Sequence, residues 1–188
     1  NYPAGLRPTL RDLISYKIAE ALQNTSYWRP AENNDLYRQN LPDLLAGKTG
    51  IKGDFKAQDP RWHPVARLAY VLADLEEWND SRENKAGELE ARIFLHRALH
   101  SVFTGEDDRK MITSSLANYL KKSDNNEWAA TGFATLAGFY RDAGQLVTAH
   151  KVASTCLKEY KGKTTDHCQH ILKAIEQPSY DVSSMAVD

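Results

Sequence analysis

The two cysteines have the most specific chemistry available in this chain. Cys156 lies six residues before Gly162, and Cys168 lies six residues after it. If Gly162 is the turn of a helical hairpin, both sulfur atoms lie at a similar height on antiparallel helices. A disulfide is then geometrically possible, provided that both side chains point inward. The alternative is two small buried thiols in a reducing compartment. A disulfide would place the protein outside the cytoplasm.

Two pairs of histidines have spacings that suit metal ligands. His96 and His100 are four residues apart on one predicted helix, and His167 and His170 are three residues apart beside Cys168. A zinc site normally takes at least three protein ligands, and neither pair has an evident third. We therefore interpret these histidines as packed or solvated side chains. No set of nucleophile, base and orienting residue is evident either, so the sequence predicts no catalytic residue, no metal and no cofactor.

Four aromatic residues of an irregular segment form the candidate partner surface: Tyr27, Trp28, Tyr37 and Phe55. Such rings can present a platform to a sugar or a peptide. The alternative, which we favour, is that they pack the segment against neighbouring helices.

The elements that position these residues are predicted to be helices. Thr9 is an N-cap with Asp12 three residues later, and an apolar stripe at spacings of three and four follows it: Leu10, Leu13, Ile14, Ile18, Ala19 and Leu22. The periodicity stops over residues 24–59, and Asp59-Pro60 is predicted to start the next helix. Further helices are expected at about 85–103, 106–122 and 165–176.

The stretch from Trp128 to Gly162 matches one tetratricopeptide (TPR) repeat when Gly144 is its turn glycine. The buried positions of its first helix are then Phe133, Leu136, Ala137 and Tyr140, and Ala149 takes the small position of its second helix. We predict an all-α fold of six or seven helices in antiparallel hairpins, TPR-like at the C-terminal end.

Composition narrows the class of protein. The chain has 24 Lys and Arg against 25 Asp and Glu, so it lacks the basic footprint of a nucleic-acid-binding protein. No apolar run reaches the roughly 18 residues of a membrane span. We expect one helical domain over residues 1–178 with a long irregular segment at 24–59. Residues 179–188 would begin a linker or a further domain, and both ends look like cuts in a longer protein.

Two stretches resemble a known family. Residues 5–12, Gly-Leu-Arg-Pro-Thr-Leu-Arg-Asp, are similar to a segment near the N-terminus of bacterial alpha-2-macroglobulin-like proteins, especially the Bacteroidetes type. The far end resembles their last helical repeat before the first β-sandwich domain, through this series of residues: Tyr140, Gly144, Ala149, Tyr160, Cys168, Ile171, Ile175 and Pro178. The resemblance covers about the first 25 and the last 55 residues of the chain.

That resemblance implies a large extracytoplasmic protease-trapping protein, many of whose members carry a thioester made from Cys-x-Glu-Gln. Here Ala174 stands where the cysteine would precede Glu176-Gln177, so no functional residue of the family carries over. The leading hypothesis is a non-catalytic scaffold segment of such a protease inhibitor, in the periplasm or at the cell surface. Its partner would be another protein or other domains of the same chain.

Two alternatives remain open. A free-standing TPR-like module would bind a protein or peptide in a concave groove. A helical carbohydrate-binding protein would use the loop aromatics, and its sugar binding would be lost on Trp28→Ala.

Overall fold

The computed structural model describes residues 5–51, 55–122 and 126–177. Every regular element in these ranges is helical, which confirms the predicted all-α class. The described residues form nine α-helices, where six or seven were expected: α1 (Leu10–Gln23), α2 (Pro30–Asp35), α3 (Leu41–Leu45), α4 (Pro64–Asp80), α5 (Lys85–Val102), α6 (Glu106–Leu120), α7 (Ala129–Asp142), α8 (Leu146–Glu159) and α9 (Asp166–Glu176). The surplus consists of α2 and α3, which are too short to show a helical period in the sequence.

The long helices form a stack in chain order. α1 packs on α4, α4 on α5, α6 on both α5 and α7, and α7 on α8. α9 then closes the stack against α7 and α8. Among the helices of the described chain, none is long and apolar enough to cross a membrane.

α1 begins as the sequence predicts but presents an unexpected face to the core. The Thr9 hydroxyl accepts a hydrogen bond from the Asp12 amide, and the Asp12 carboxylate accepts from the Thr9 amide at 2.9 Å. The buried residues of the helix are Asp12, Ser15, Tyr16 and Ala19, whereas Leu10, Leu13, Ile14 and Ile18 of the apolar stripe are exposed.

A chain of polar contacts joins α1 to the next two helices. The Asn79 amide, at the end of α4, donates to the Asp12 carboxylate and to the Leu75 carbonyl, at 3.0 Å each. Asn84 donates to Asn79 Oδ1 at 2.7 Å and caps α5 by accepting from the Gly87 amide. A Cβ atom at position 87 would collide with the Asn79 and Asn84 side chains. Glycine is therefore required for this close approach.

The prediction that α4 starts at Asp59-Pro60 is wrong. Proline lacks an N–H, and its ring clashes with the carbonyl four residues earlier. A helix from Pro60 would therefore be interrupted at Pro64. The helix instead begins at Pro64, with His63 as N-cap: His63 Nδ1 accepts from the Val65 amide at 3.1 Å. Asp59 accepts hydrogen bonds from Arg61.

Residues 24–59, as far as the structure describes them, are built from short turns that pack onto the stack. They contain α2, α3 and three 3₁₀ turns, and four leucines of the segment join the main core: Leu36, Leu41, Leu44 and Leu45. The segment is irregular because prolines and glycines divide it, yet these four leucines are buried.

The turn between α7 and α8 lies at Gly144, whose φ is +73°. Leu136, Ala137 and Ala149 are buried, and Phe133 and Tyr140 are partly buried. α7 and α8 form the hairpin that the Trp128–Gly162 stretch predicts. The expected linker or further domain at 179–188 lies outside the described residues.

Candidate docking groove between α5, α7 and α9

An open groove of about 510 Å³ runs where α5, α7 and α9 lie side by side. α5 contributes one wall, α7 the floor and α9 the other wall. The lining consists of Arg97, Ala134, Thr135, Gly138, Phe139, Arg141, Asp142, His167, His170 and Ile171.

Arg97 is held in the α5 wall by contacts with the floor. Its Nε and Nη2 both donate to Thr135 Oγ1, at 2.9 and 2.7 Å. The Thr135 hydroxyl donates in turn to the Thr131 carbonyl at 2.8 Å. A guanidinium fixed in this way is oriented before any ligand arrives, so less side-chain entropy is lost on binding.

The groove carries more positive than negative charge. Arg141 and Asp142 form an exposed ion pair with 3.0 Å between Nη2 and Oδ1. His167 and His170 are exposed in the α9 wall.

Gly138 leaves room at the floor. A Cβ atom built at this position would meet no heavy atom within 4 Å. A glycine inside a helix costs about 1 kcal/mol relative to alanine. Packing does not require this one, so the space it leaves faces the groove.

The α9 wall is fixed to α8 by a disulfide between Cys156 and Cys168, with the Cα atoms 6.4 Å apart. Both sulfur atoms also lie against the Ala130 carbonyl of α7. A small second core surrounds the bridge and consists of Ala130, Ala134, Cys156 and Cys168. The turn between the two cysteines contains Gly162, at a φ of +91°.

A second groove, of about 430 Å³, meets the first at the C-terminal end of α7, where Phe139 and Asp142 line both. It runs along α6, and the His100 ring stacks on Phe139 with centroids 3.9 Å apart. Burial, and secondly the nearby Arg109 guanidinium, lower the pKa of His100. The stacked imidazole is therefore neutral at neutral pH.

The first histidine pair is divided between the core and this second groove. His96 is fully buried; its Nδ1 donates to the Arg92 carbonyl at 2.8 Å, and its Nε2 accepts from the Ser115 hydroxyl at 3.0 Å. Burial lowers the pKa of His96 to about 4. Both ring nitrogens are thus occupied by hydrogen bonds. In the part of the chain that the structure describes, no three His, Cys, Asp or Glu residues cluster as metal ligands.

The four aromatic residues of the candidate partner surface have different environments. Trp28 is buried, and its indole N–H donates to the Leu22 carbonyl at 2.8 Å. Phe55 packs between Trp62 and Tyr70, with ring centroids 4.8 and 4.7 Å away. Tyr27 and Tyr37 are 73% and 71% exposed. Trp28 and Phe55 therefore hold the segment in place, and only the two tyrosines present their rings to solvent.

Sequence reasoning did not identify Arg97 and Gly138 as groove residues. Arg97 has no distinguishing pattern in the sequence, because its role depends on the distant Thr135. Gly138 did carry a signal, since a glycine inside a helical pattern indicates a packing or functional reason.

No protein-family model, no curated protein and no solved structure matches this chain.

Proposed function

We propose that this chain is a non-catalytic helical scaffold that docks a protein partner or another domain of its own polypeptide. The observation that carries the proposal is the groove between α5, α7 and α9. It is open, it has Arg97 pre-oriented in one wall, and Gly138 leaves space at its floor. An open groove along three helices suits an extended peptide better than a compact metabolite.

TPR-like packing of the C-terminal helices is part of the proposal. The left-handed Gly144 permits the tight α7–α8 turn. Ala149 is fully buried where α8 meets α7, so a small side chain lets the two backbones approach. α9 contacts both helices of the hairpin, as the first helix of a following repeat would.

The proposed setting is an alpha-2-macroglobulin-like protease-trapping protein outside the cytoplasm, in the periplasm or at the cell surface. The Cys156–Cys168 bridge supports this compartment, because disulfides persist in oxidising environments and are rare in the cytosol. The intact mass of the protein from its own cells tests the setting. A chain many times larger than 21.2 kDa supports it, whereas a mature protein that ends near Asp188 favours the free-standing module.

Docking in the groove is tested with a displayed library of short random peptides. We expect the wild-type protein to enrich a set of peptides that share a sequence motif. Gly138→Leu should weaken their binding by at least about tenfold, because the added side chain occupies the groove. Fluorescence anisotropy with a labelled selected peptide measures the change.

Asn118→Leu is the matched control, since it adds the same side chain at an exposed position of α6 outside the groove lining. It should bind the peptide as the wild type does. A selection that enriches no peptide, or peptides that bind both variants equally, would contradict the proposal.

A further inference from the structure

The second groove, which α5, α6 and α7 enclose, has the dimensions of a small-molecule site. Its volume of about 430 Å³ falls in the range of about 300–1,000 Å³ that ligand pockets occupy. The three helices pack on one another, so rigid elements hold the side chains of the lining. α6 supplies most of the charged residues, and α7 supplies the aromatic ones.

Arg109 of α6 brings an unpaired positive charge into this groove. The side chain is half-buried, and its Nε is shielded from water without accepting oxygen from any described residue. Within the described chain the guanidinium has neither an ion pair nor a hydrogen bond. A charge that is partly removed from water and lacks a counter-ion attracts an anion more strongly than a fully hydrated one does.

The carboxylates that line the second groove are already paired. Glu106 lies 2.7 Å from Lys110, measured from Oε1 to Nζ. Asp142 is paired with Arg141. These opposite charges cancel one another, so Arg109 is the charge that a ligand can neutralise.

Aromatic and uncharged polar side chains complete the lining. Phe139, on which the His100 ring stacks, and Tyr140 provide aromatic surface. The Ser114 hydroxyl and the Gln145 amide also line the groove, and their side chains form no hydrogen bond with another described residue. Both groups are therefore free to bind a ligand. One unpaired cation beside aromatic surface suits a molecule with one acidic group and an apolar part.

We propose that the second groove binds a carboxylic acid with an apolar body, and that its carboxylate pairs with Arg109. The planar guanidinium matches a carboxylate through two parallel N–H···O bonds. The apolar body lies against Phe139 and Tyr140, where its burial adds affinity. A single unpaired arginine balances a monoanion, and the carboxylates of Glu106 and Asp142 disfavour a dianion such as phosphate.

The carboxylate has two possible sources, a free small acid and the C-terminus of a peptide in the docking groove between α5, α7 and α9. The second source exists because Phe139 and Asp142 line both grooves, and it rests on the function proposed for the docking groove. Gly138 lines only the docking groove. Gly138→Leu therefore separates binding in the two grooves.

Chemical-shift titration of the whole chain with phenylacetate, and with phenylacetamide as its neutral counterpart, tests the proposal. Phenylacetate should shift the Phe139 and Tyr140 signals with a dissociation constant of about 5 mM or below. Phenylacetamide should bind at least about tenfold more weakly, because it lacks the charge that pairs with Arg109. Arg109→Gln should weaken binding of the acid to the level of the amide.

Arg38→Gln is the matched control. It also removes one arginine charge, but at a side chain that is 83% exposed and outside the lining, so it should bind phenylacetate as the wild type does. Equal binding of acid and amide to the wild type would overturn the proposal, as would equal effects of the two arginine substitutions. The comparison of acid with amide needs no variant, so it decides the question even if Arg109→Gln does not fold.

Two further measurements identify the source of the carboxylate. Gly138→Leu should bind phenylacetate as the wild type does, and loss of this binding would overturn the assignment to the second groove. Amidation of the C-terminus of a selected peptide should weaken its binding to the wild type and not to Arg109→Gln if the peptide supplies the carboxylate. An unchanged affinity of the amidated peptide assigns the site to a free acid. Peptide selection without phenylacetate binding would contradict this inference alone, and the reverse result would contradict only the docking function.

Discussion

The two end helices of the stack, α1 and α9, are fixed by different means. α1 turns polar residues inward: Asp12 is fully buried and hydrogen-bonded to Thr9 and Asn79. Its apolar stripe faces outward. α9 turns its apolar residues towards the stack and is covalently attached to α8 through Cys168.

The difference follows from what each end can bury. An end helix has neighbours on one side only, so it buries less apolar surface than a central helix. α9 has 11 residues, and helices below about 12–15 residues are marginal alone. The disulfide keeps α9 attached to α8. α1 is longer and relies on directional hydrogen bonds, which fix its orientation while leaving the apolar stripe exposed.

The largest expected effect comes from removing the covalent link at the α9 end. The double substitution Cys156→Ala and Cys168→Ala should lower the free energy of unfolding by about 3 kcal/mol, because it releases the loop closed by the bridge. Denaturant unfolding measures the loss. Hydrogen exchange should show faster exchange in α9 and unchanged protection in α1. Equal loss of protection at both ends would contradict the distinction between them.

The corresponding change at the α1 end is Asp12→Ala. It removes the carboxylate that accepts from the Thr9 amide in the capping box and leaves the buried Asn79 amide without one of its acceptors, which should cost roughly 2 kcal/mol. Thermal unfolding at neutral pH gives the value. Glu20→Ala serves as the control, because it removes only an exposed ion pair with Lys17; its effect should stay within about 0.5 kcal/mol. An equal effect of the two substitutions would show that the buried network does not fix α1.

Lowering the pH should lower the free energy of unfolding through His96, which is buried on α5 in the middle of the stack. Burial lowers the pKa of His96 from 6.5 to about 4 in the folded protein. Between these values the unfolded chain binds a proton that the folded chain does not, so stability falls as the pH falls. The expected loss is about 2 kcal/mol between pH 7 and pH 5.

The partly buried Glu76 acts in the opposite sense, because desolvation raises the pKa of its carboxyl group. The His96 contribution is therefore measured as the difference between the wild type and His96→Gln, in urea unfolding at a series of pH values. A difference that does not change with pH would contradict the prediction.

The smallest expected effect distinguishes an exposed stripe from a buried one. Leu13→Gln should change the free energy of unfolding of the monomer by less than about 0.5 kcal/mol. A buried leucine at this position would cost several times more. Urea unfolding at low protein concentration is the measurement, with Leu75→Ala, a substitution at a fully buried leucine of α4, as the reference for a large loss.

Local signals in the sequence predicted most helices correctly. The capping box at Thr9 and Asp12 located the start of α1, and Gly144 located the α7–α8 turn, because caps and turn glycines act over a few residues. The start of α4 was misplaced because Pro60 and Pro64 both suit the first turn of a helix. Their spacing of four residues excludes a helix that begins at Pro60 and continues through Pro64. The groove could not be predicted, since Arg97 and Thr135 belong to different helices.

The sequence by itself determined the helical class, the hairpin at Gly144 and the spacing of the two cysteines, because each depends on residues close together in the chain. The tertiary structure decided which face of each helix is buried. The periodicity of α1 shows that a stripe exists, but it does not show whether the stripe faces the core or the solvent. It was the buried contact of Asp12 with Asn79, 67 residues away, that turned the apolar stripe outward.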